Sequence, residues 1–384
     1  MTEKLYDLNS HLRQFSAVVQ SCTPRQDGFD VILNRTAFYP EGGGQPGDRG
    51  CLGGVTVTDT HEKDGEILHR CTQALEPGTE VTGEIDWNHR FDLMQQHSGE
   101  HIVSGIIHQR YGYDNVGFHM GKDVVTIDFN GIIQPEELPE LERAANEAVW
   151  ANTEVVVRYP SADELAELPY RSKKALSGQV RIVEYPGIDL CACCGTHVSR
   201  TGEIGIVKLL SCQHFREGVR MEMLCGRMAL ERLSAAMEQN RRISGLLSAK
   251  PLETAEAVER MKQELADWKY QTAQLENRRF EAMAKELAAA GNVLLFEEGL
   301  KPDGLRRLAD AVLQTCGGRC AVFTPTEEGY FYAMGQQDGD LRGLTKELNA
   351  ALNGRGGGKP GFVQGSVRAS EEEIRSFFAN PNFL

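Results

Sequence analysis

Short runs of β-branched and aromatic residues alternate with turn residues through the first 85 positions of this 384-residue chain. Residues 16–22 and 29–33 are two such runs, and a Pro-Arg-Gln-Asp-Gly segment separates them. Similar runs recur at residues 55–58, 67–69 and 81–85. Short strands divided by turn residues are typical of small antiparallel barrels. The pattern therefore predicts an N-terminal β-barrel domain over residues 1–85.

Strands and helices then follow one another in mixed order over residues 86–235. The first element is a helix over residues 90–109, which Asp86 or Asn88 can cap and Gly112 can close. Further strands are predicted at 123–129, 154–159, 179–185 and 205–212, and further helices at 135–152 and 161–167. This mixture indicates an α+β domain.

A long helical region begins at residue 221 and reaches about residue 290, with an interruption at Pro251. Its second helix carries six side chains at alternating spacings of three and four: Val258, Met261, Leu265, Trp268, Thr272 and Leu275. That spacing is typical of a coiled coil. We expect residues 236–290 to form a linker that is either a helical hairpin within the chain or the seam of a homodimer.

The last segment, residues 291–384, predicts a compact α/β domain. It contains a glycine-rich loop at residues 353–361, whose two cations are Arg355 and Lys359. Exposed backbone N–H groups beside cations can bind phosphates, although a disordered glycine turn would have the same composition. The fold class is therefore a multidomain α+β protein with a barrel, an α+β domain, a helical linker and a C-terminal α/β domain.

The composition constrains the cellular setting more than the partner. The formal net charge is −14, which disfavours a nucleic-acid partner for the whole chain but leaves a local basic site open. The start of the chain lacks the features of a signal peptide, and no apolar run reaches the length of a membrane span. Ten cysteines in a chain of this length, clustered near histidines, are typical of a reducing compartment. We expect a cytoplasmic protein without membrane association.

Two short motifs bring together the ligands for a metal ion. His97 and His101 are four residues apart on the predicted helix, hence on one face, and Cys193 and His197 have the same spacing around Gly195. Three imidazoles and one thiolate make a full tetrahedral set for Zn²⁺. Cys191 and Cys194 are interpreted as packing thiols or as thiols beside the ligands, in preference to ligands themselves. The replacement ligands are Cys212, His214 and His119.

A zinc ion with four protein ligands is usually structural, since catalytic zinc keeps one position for water. Three catalytic alternatives stay open from the spacing. One ligand can leave, the ion can become five-coordinate, or the ion can orient the substrate while another group activates water.

The motifs resemble one family when they are taken in order along the chain. The segments that carry this resemblance are residues 35–40 with 42–50, then 97–101, 193–198 and 218–222, then 356–360 with 364–365. They are similar to the editing domain of alanyl-tRNA synthetase, its free-standing relatives and its carboxy-terminal domain. Because the chain starts at the editing barrel, without an aminoacylation domain, it looks like a long free-standing editing protein. One departure is Cys194, where the family often has glycine.

The resemblance implies a zinc-dependent hydrolase that deacylates tRNA(Ala) mischarged with serine, and in some members with glycine. It implies that Thr36 contacts the serine side chain and that Gln45 contacts the substrate or the terminal adenosine. A pocket that hydrogen-bonds a hydroxyl discriminates far better than an apolar one. The remaining substrate-binding candidates are Gly42, Gly43, Gly44, Arg216, Arg220, Arg355 and Lys359.

Some alternatives stay open at this point. Gly42–Gly44 can be a flexible turn between strands, and Arg216 and Arg220 can form surface ion pairs with Glu217 or Glu222. The main alternative function is a non-catalytic zinc module that binds tRNA or a synthetase. A zinc hydrolase of small esters or amides is a further alternative, and it would not need the loop at residues 354–361.

Overall fold

The computed structural model describes residues 2–172 and 179–379, and the chain divides into two compact units, residues 1–240 and 241–384. Helices and strands alternate in both units, so the predicted multidomain α+β class is confirmed. The finer division into four domains stays a prediction.

Eight strands and one short helix make up the first part of the first unit. They are β1 (Glu3–Lys4), α1 (Leu5–Leu8), β2 (Gln14–Arg25), β3 (Gly28–Leu33), β4 (Arg35–Thr36), β5 (Gly50–Leu52), β6 (Val55–Lys63), β7 (Glu66–Cys71) and β8 (Glu80–Ile85). Six of them close into a barrel in the order β2-β3-β7-β6-β5-β8. Alternate residues of β2 point inward, so that Phe15, Ala17 and Val19 join the barrel core.

The helix α2 (Trp87–Tyr111) follows the barrel and confirms the helix predicted at residues 90–109. The side chain of Asp86 caps its amino end by accepting a hydrogen bond from the backbone N–H of His89. Gly112 closes the helix with a φ of 72°, a left-handed conformation that favours glycine. Most of the middle of α2 is buried, so the helix runs through the core of this unit.

Two sheets and two further helices surround α2. Their elements are β9 (Asn115–Met120), β10 (Val125–Phe129), α3 (Leu138–Trp150), β11 (Val156–Arg158), α4 (Ala162–Glu167), β12 (Ile182–Tyr185), β13 (Asp189–Ala192), β14 (Val207–Phe215) and β15 (Gly218–Cys225). One sheet has the order β14-β15-β10-β9 and the other the order β11-β12-β13.

The predicted helix from residue 221 is wrong at its start, because residues 218–225 are the strand β15 and α5 (Gly226–Leu247) begins only after it. Met221 and Met223 are buried on alternate positions of β15, between β14 and β10. Arg220 and Glu222, on either side of Met221, are only partly buried, so the strand does alternate. The apolar residues Met221, Leu224 and Met228 are also spaced three and four apart, however, which is the spacing of a helix.

The second unit contains one long helix and a five-stranded sheet with helices. Its remaining elements are α6 (Thr254–Glu286), β16 (Gly291–Phe296), α7 (Pro302–Cys316), β17 (Gly317–Thr326), β18 (Gly329–Gln336), α8 (Arg342–Ala351), β19 (Arg355–Lys359), β20 (Phe362–Val367) and α9 (Glu371–Phe378). The strand order is β16-β17-β18-β20-β19, and only β16 and β17 run parallel. The carboxyl end of α6 packs on α7 through Phe280 and Ala284.

The predicted glycine-rich loop is a β-strand, β19, at the edge of this sheet. Its backbone pairs with β20 from Arg355 to Lys359. A Cβ on Gly356 would lie 2.2 Å from the hydroxyl of Tyr332. Close packing in the sheet therefore explains this glycine, which in the sequence alone indicates a loop. Among the described residues, no helix combines the length and apolarity that crossing a bilayer requires.

Candidate metal centre

Four side chains from two distant segments meet in the core of the first unit. His97 and His101 lie one turn apart on α2, and Cys193 and His197 follow β13. One ligand atom from each residue lies within 4.8 Å of every other. The three histidines are each 2% exposed, so the cluster is nearly closed to bulk water. The structure therefore brings together the quartet that was predicted from spacing.

The protonation of His97 follows from its neighbours. Its Nδ1 lies 2.9 Å from Oε1 of Gln45, and the same oxygen accepts a hydrogen bond from the backbone N–H of Thr196. Because a backbone N–H can only donate, the Gln45 atom must be the oxygen, and His97 Nδ1 must carry the proton. Its Nε2 is the nitrogen left for a metal, and it lies 3.3 Å from the Cys193 sulfur.

His101 is oriented in the same sense by a carboxylate. Its Nδ1 lies 2.8 Å from Oδ2 of Asp189, so that Nδ1 donates and Nε2 is the nitrogen left for a metal. Burial lowers the pKa of His101, but the hydrogen bond to Asp189 foremost raises it well above its usual range, so metal binding at Nε2 would release a proton. That Nε2 is buried without a hydrogen-bond partner among the residues that the structure describes. The guanidinium of Arg171 holds Asp189 through two further hydrogen bonds of 2.8 Å.

His197 and Cys193 complete the set with atoms suited to a metal. Both ring nitrogens of His197 are buried and unpartnered within residues 2–172 and 179–379. Burial lowers the pKa of His197 to about 3, so the ring is neutral. Burial raises the pKa of the Cys193 thiol, but the surrounding imidazoles, His97 foremost, hold it well below its usual range. Neutral imidazoles and a thiolate are the forms that bind zinc.

These observations fit a zinc ion. Buried polar atoms without partners are rare in proteins, and here they converge on one point. Three nitrogens and one sulfur suit tetrahedral zinc, whose bonds of about 2.0–2.3 Å require ligand atoms within roughly 4 Å of each other. Gly195 is required by this packing, since a Cβ there would lie 2.1 Å from Cε1 of His97.

The glycine loop that precedes Gln45 docks beside the metal centre. The Gly44 carbonyl accepts a hydrogen bond from the backbone N–H of Met120 on β9, and Gly44 has a φ of 87°. A Cβ there would also lie 2.6 Å from the Phe118 carbonyl. Phe118 in turn stacks on the ring of His97. Gly42–Gly44 is therefore a fixed turn, closed by a bridge between Gly42 and Gln45, which brings Gln45 to His97.

Thr36 lies on β4, against the strands of the barrel, and is fully buried. Its hydroxyl lies 2.7 Å from Nε2 of His69, whose Nδ1 lies 2.9 Å from the carbonyl of Val31. Because that carbonyl can only accept, His69 Nδ1 donates and the Thr36 hydroxyl donates to Nε2. The same oxygen accepts from the backbone N–H of Phe38. The hydrogen bonds of Thr36 are therefore with barrel residues.

The two arginines near residue 218 differ in their contacts. Arg220 forms a two-pronged ion pair with Asp128 at 2.7 and 2.8 Å, and its guanidinium lies 3.9 Å above the ring of Phe215. Its partner is thus neither Glu217 nor Glu222. Arg216 is exposed and also lies over Phe215, at 5.1 Å. The side chain of Arg220 is still 41% exposed, but two of its guanidinium nitrogens are engaged by Asp128.

Arg355 and Lys359 belong to the second unit, at the two ends of the edge strand β19, and both are exposed. Lys359 lines a groove of about 530 Å³ together with Gly357, Gly358 and Arg306. Acidic side chains of Asp303 and Asp310 also reach this groove. The backbone of β19 has a paired edge toward β20 and a second edge at the border of the sheet.

Several residues near the metal were not predicted from the sequence: Arg171, Asp189 and Thr196. Asp189 is four residues before Cys193, and a carboxylate so close to a metal motif was the available signal. The replacement ligands Cys212, His214 and His119 are in neither of the two metal-binding groups found in the described chain. Cys191 forms the second group with His101 and Asp189, whereas Cys194 is exposed and belongs to neither.

Comparison with known proteins identifies the family. Residues 7–89 match the family of class II (A) tRNA synthetases, residues 180–244 the second additional domain of threonyl and alanyl tRNA synthetases, and residues 287–380 the DHHA1 domain. The alanyl-tRNA editing protein AlaX-L of Pyrococcus horikoshii is 30% identical, over 97% of this chain and 96% of that protein. The chain belongs to the alanyl-tRNA editing protein family.

Other relatives cover different shares of this family member. The alanyl-tRNA editing protein Aarsd1-A of Xenopus laevis is 33% identical over 63% of each chain. The alanine–tRNA ligase of Halobacterium salinarum is 36% identical over 88% of this chain, but the chain spans only 39% of that ligase. The resemblance drawn from the motifs is thus confirmed along almost the whole chain.

Proposed function

We propose that this protein is a trans-editing hydrolase that deacylates mischarged tRNA(Ala), chiefly seryl-tRNA(Ala), with glycyl-tRNA(Ala) as a second substrate. The observation that carries the proposal is the convergence of His97, His101, Cys193 and His197 within 4.8 Å in a member of an editing family. Zinc bound by these four residues would supply Lewis-acid polarisation of the ester carbonyl or orientation of the aminoacyl group.

The protein's own side chains prepare this site for an ester. Gln45 and Asp189 hold protons on the outer nitrogens of His97 and His101, which directs both inner lone pairs to one point. Phe118 and Tyr185 stack on the same two rings and keep water from their faces. A buried, preorganised site strengthens electrostatic interactions with a developing charge.

Serine recognition is assigned in this proposal to Thr36. Its hydroxyl proton is committed to His69 and one lone pair to the N–H of Phe38, which leaves one lone pair for a serine hydroxyl. Alanine has no hydroxyl to donate there. Gln45, with both ends of its amide engaged by Thr196 and His97, acts by holding the metal ligand and the loop beside the substrate.

The tRNA itself is assigned to cations outside the metal centre. Arg216 in the first unit, and Arg355 and Lys359 in the second, are exposed and suit backbone phosphates. Arg220 is a weaker candidate, because the ion pair with Asp128 occupies both prongs of its guanidinium.

The test is deacylation of seryl-, glycyl- and alanyl-tRNA(Ala), measured as release of the free amino acid. We expect turnover of the seryl ester at least tenfold faster than that of the alanyl ester. Cys193→Ala should lose bound zinc and at least a thousandfold in turnover. Cys194→Ala is the matched control, because it removes the adjacent exposed thiol, and it should keep both zinc and activity.

The second candidate function is a non-catalytic zinc module that binds tRNA or a synthetase. The four candidate ligands also support this alternative, because zinc sites with four protein ligands are usually structural. Zinc-loaded protein that binds tRNA(Ala) but releases no serine from seryl-tRNA(Ala) would establish this alternative and reject the hydrolase. Full activity in metal-free Cys193→Ala protein would reject the role of zinc.

A further inference from the structure

The ion pair behind His101 is the most completely enclosed charged contact of the metal centre. Asp189 begins strand β13, and its side chain is 1% exposed, while that of Arg171 is 12% exposed. Asp189 Oδ2 accepts hydrogen bonds from His101 Nδ1 and Arg171 Nη2, each at 2.8 Å. Oδ1 accepts a hydrogen bond from Arg171 Nε at 2.8 Å. Both oxygens are thus occupied by donors, which leaves the carboxylate one orientation.

Backbone hydrogen bonds hold Arg171 in place beside Asp189. Residue 171 forms a parallel bridge with Cys191 on β13. Its N–H donates to the Leu190 carbonyl at 2.8 Å, and its carbonyl accepts from the Ala192 N–H at 2.9 Å. Arg171 is therefore paired with β13, the strand that begins at Asp189 and ends at Ala192, directly before Cys193.

The three histidines differ in what their outer nitrogen meets. His97 donates to the neutral amide of Gln45, and His197 has no partner on either nitrogen among the described residues. Only His101 donates to a carboxylate. A negative acceptor on one nitrogen raises the electron density at the other and makes it a stronger metal ligand. The same bond opposes a flip of the ring, because a flip would remove one of the three donors from a buried carboxylate.

We propose that Asp189, locked by Arg171, is a positioning residue that fixes the tautomer and ring orientation of His101 and thereby sets the zinc affinity of the site. This inference rests on the zinc site of the proposed function and adds two residues to it. Neither residue contacts the substrate in this scheme. Arg171 keeps the carboxylate aligned, the carboxylate aligns the imidazole, and the imidazole presents Nε2 to the ion.

Asp189→Asn is the most informative variant. An amide has one oxygen, so its NH₂ group must face either His101 Nδ1 or Arg171 Nε, both of which are donors. We expect zinc affinity, measured by competition with a chromophoric chelator, to fall about 10–100-fold. Arg171→Lys keeps the charge but not the two-pronged contact, and should weaken zinc binding by a smaller factor of about 3–10. Arg171→Lys changes little side-chain volume. If Asp189→Asn does not fold, the zinc affinity of Arg171→Lys therefore tests the proposal.

The matched control is Asp92→Asn, which breaks another two-pronged Arg–Asp pair, with Arg227, on the same helix as His97 and His101. It should leave zinc affinity within twofold of the unmodified protein. Titration with Co²⁺, followed by visible absorption, provides a readout of coordination geometry, and the unfolding temperature of the metal-free protein measures stability separately. A merely structural role would lower that temperature and leave the metal affinity unchanged.

The outcomes separate this inference from the proposed function. Weaker zinc and Co²⁺ binding in Asp189→Asn and Arg171→Lys, with Asp92→Asn unchanged, supports it. Affinity within twofold of the unmodified protein in both test variants overturns it, and so does an equal loss in Asp92→Asn. Either result would leave zinc binding and deacylation by the unmodified protein standing. Failure of the unmodified protein to bind zinc overturns both proposals.

Discussion

Buried histidines serve two different purposes in this chain, and their hydrogen bonds distinguish them. His97 and His101 donate from Nδ1, and the Nε2 atoms are left for a cation: that of His97 lies 3.3 Å from the Cys193 sulfur, and that of His101 has no partner among the described residues. His69 also donates from Nδ1, but the Thr36 hydroxyl occupies its Nε2, so the ring is satisfied. A satisfied imidazole in a barrel core is a structural group, and its protonation acts on stability.

The first prediction concerns His69 and the pH dependence of stability. Burial lowers the pKa of His69 to about 4 from 6.5, although its bond to Val31 opposes this. A depressed pKa means that protons bind the unfolded chain preferentially, so the stabilisation is complete above pH 6.5 and is lost as the pH falls toward 4. At pH 4.5 the loss should be about 2.5 kcal/mol of unfolding free energy.

His69→Gln should remove this contribution while the other titrating groups stay the same. We expect the variant to be less stable than the unmodified protein at pH 7.5, and the difference to shrink by about 2.5 kcal/mol at pH 4.5. Denaturant unfolding of both proteins in chelator measures this without the separate pH dependence of metal binding. A difference that is constant over this pH range would show that His69 is not held neutral.

At the scale of elements, the helix α2 joins the barrel to the metal centre. Arg90, on the first turn of α2, is fully buried and pairs with Asp48, which is equally buried. Arg90 also donates to the carbonyls of Ser10 and Ala37, and Asp48 accepts from the backbone N–H of Tyr39. The loop that presents Gln45 to His97 is thus held to the same helix that carries His97.

The second prediction is that this buried pair is costly to break from one side. Arg90→Met leaves the Asp48 carboxylate buried without its cation, and we expect a loss of about 3–5 kcal/mol in the unfolding free energy of the protein. Replacing both partners, as Arg90→Met with Asp48→Leu, removes the unpaired charge and should be less destabilising than the single change. Denaturant unfolding measures the unfolding free energy of the single and the double variant. A double variant that is less stable than the single variant would contradict this prediction.

The third prediction concerns the middle of α6, where large apolar side chains are exposed. Leu265, Trp268 and Leu275 are 55%, 67% and 66% exposed, and their 3,4 spacing matches a coiled-coil seam. We propose that this stripe pairs with a second copy of the chain. Leu265→Glu should convert a dimer into a monomer in light scattering. Ala266→Glu adds the same charge one position off the stripe and should leave the dimer intact, whereas an unmodified protein that is already monomeric would reject the seam.

At the scale of the whole molecule, the sequence predicted what local patterns determine. The helix over 90–109 and the ligand quartet follow from spacing within single segments, and the structure contains both. Contacts between distant segments produce no such pattern in the sequence. Asp189 meets His101 across 88 positions and Gln45 meets Thr196 across 151, so neither role could be derived from neighbours in the chain.

The two errors have the same physical origin. The apolar residues at the end of strand β15 continue into α5 at helical spacing, which resembled a helix, and β19 needs glycine for close packing, which resembled a loop. Both segments take their conformation from the strands beside them. Pairing partners in a sheet are chosen by tertiary packing, which local propensity does not encode.

The last prediction assigns tRNA binding to the edge strand β19. Arg355 and Lys359 are exposed, have no ion-pair partner in the described chain, and lie on either side of Gly357, where a Cβ would meet nothing within 4 Å. Arg355→Glu with Lys359→Glu should weaken tRNA(Ala) binding about 10–100-fold and lower the salt dependence of binding by about two charges. Turnover at saturating tRNA should change little, because the proposed function assigns hydrolysis of the ester to the metal centre. Arg342→Glu is the control, since that exposed arginine is already paired with Asp340. A large loss of turnover with unchanged tRNA affinity would mean that β19 takes part in hydrolysis, and it would contradict the assignment of tRNA binding to this strand.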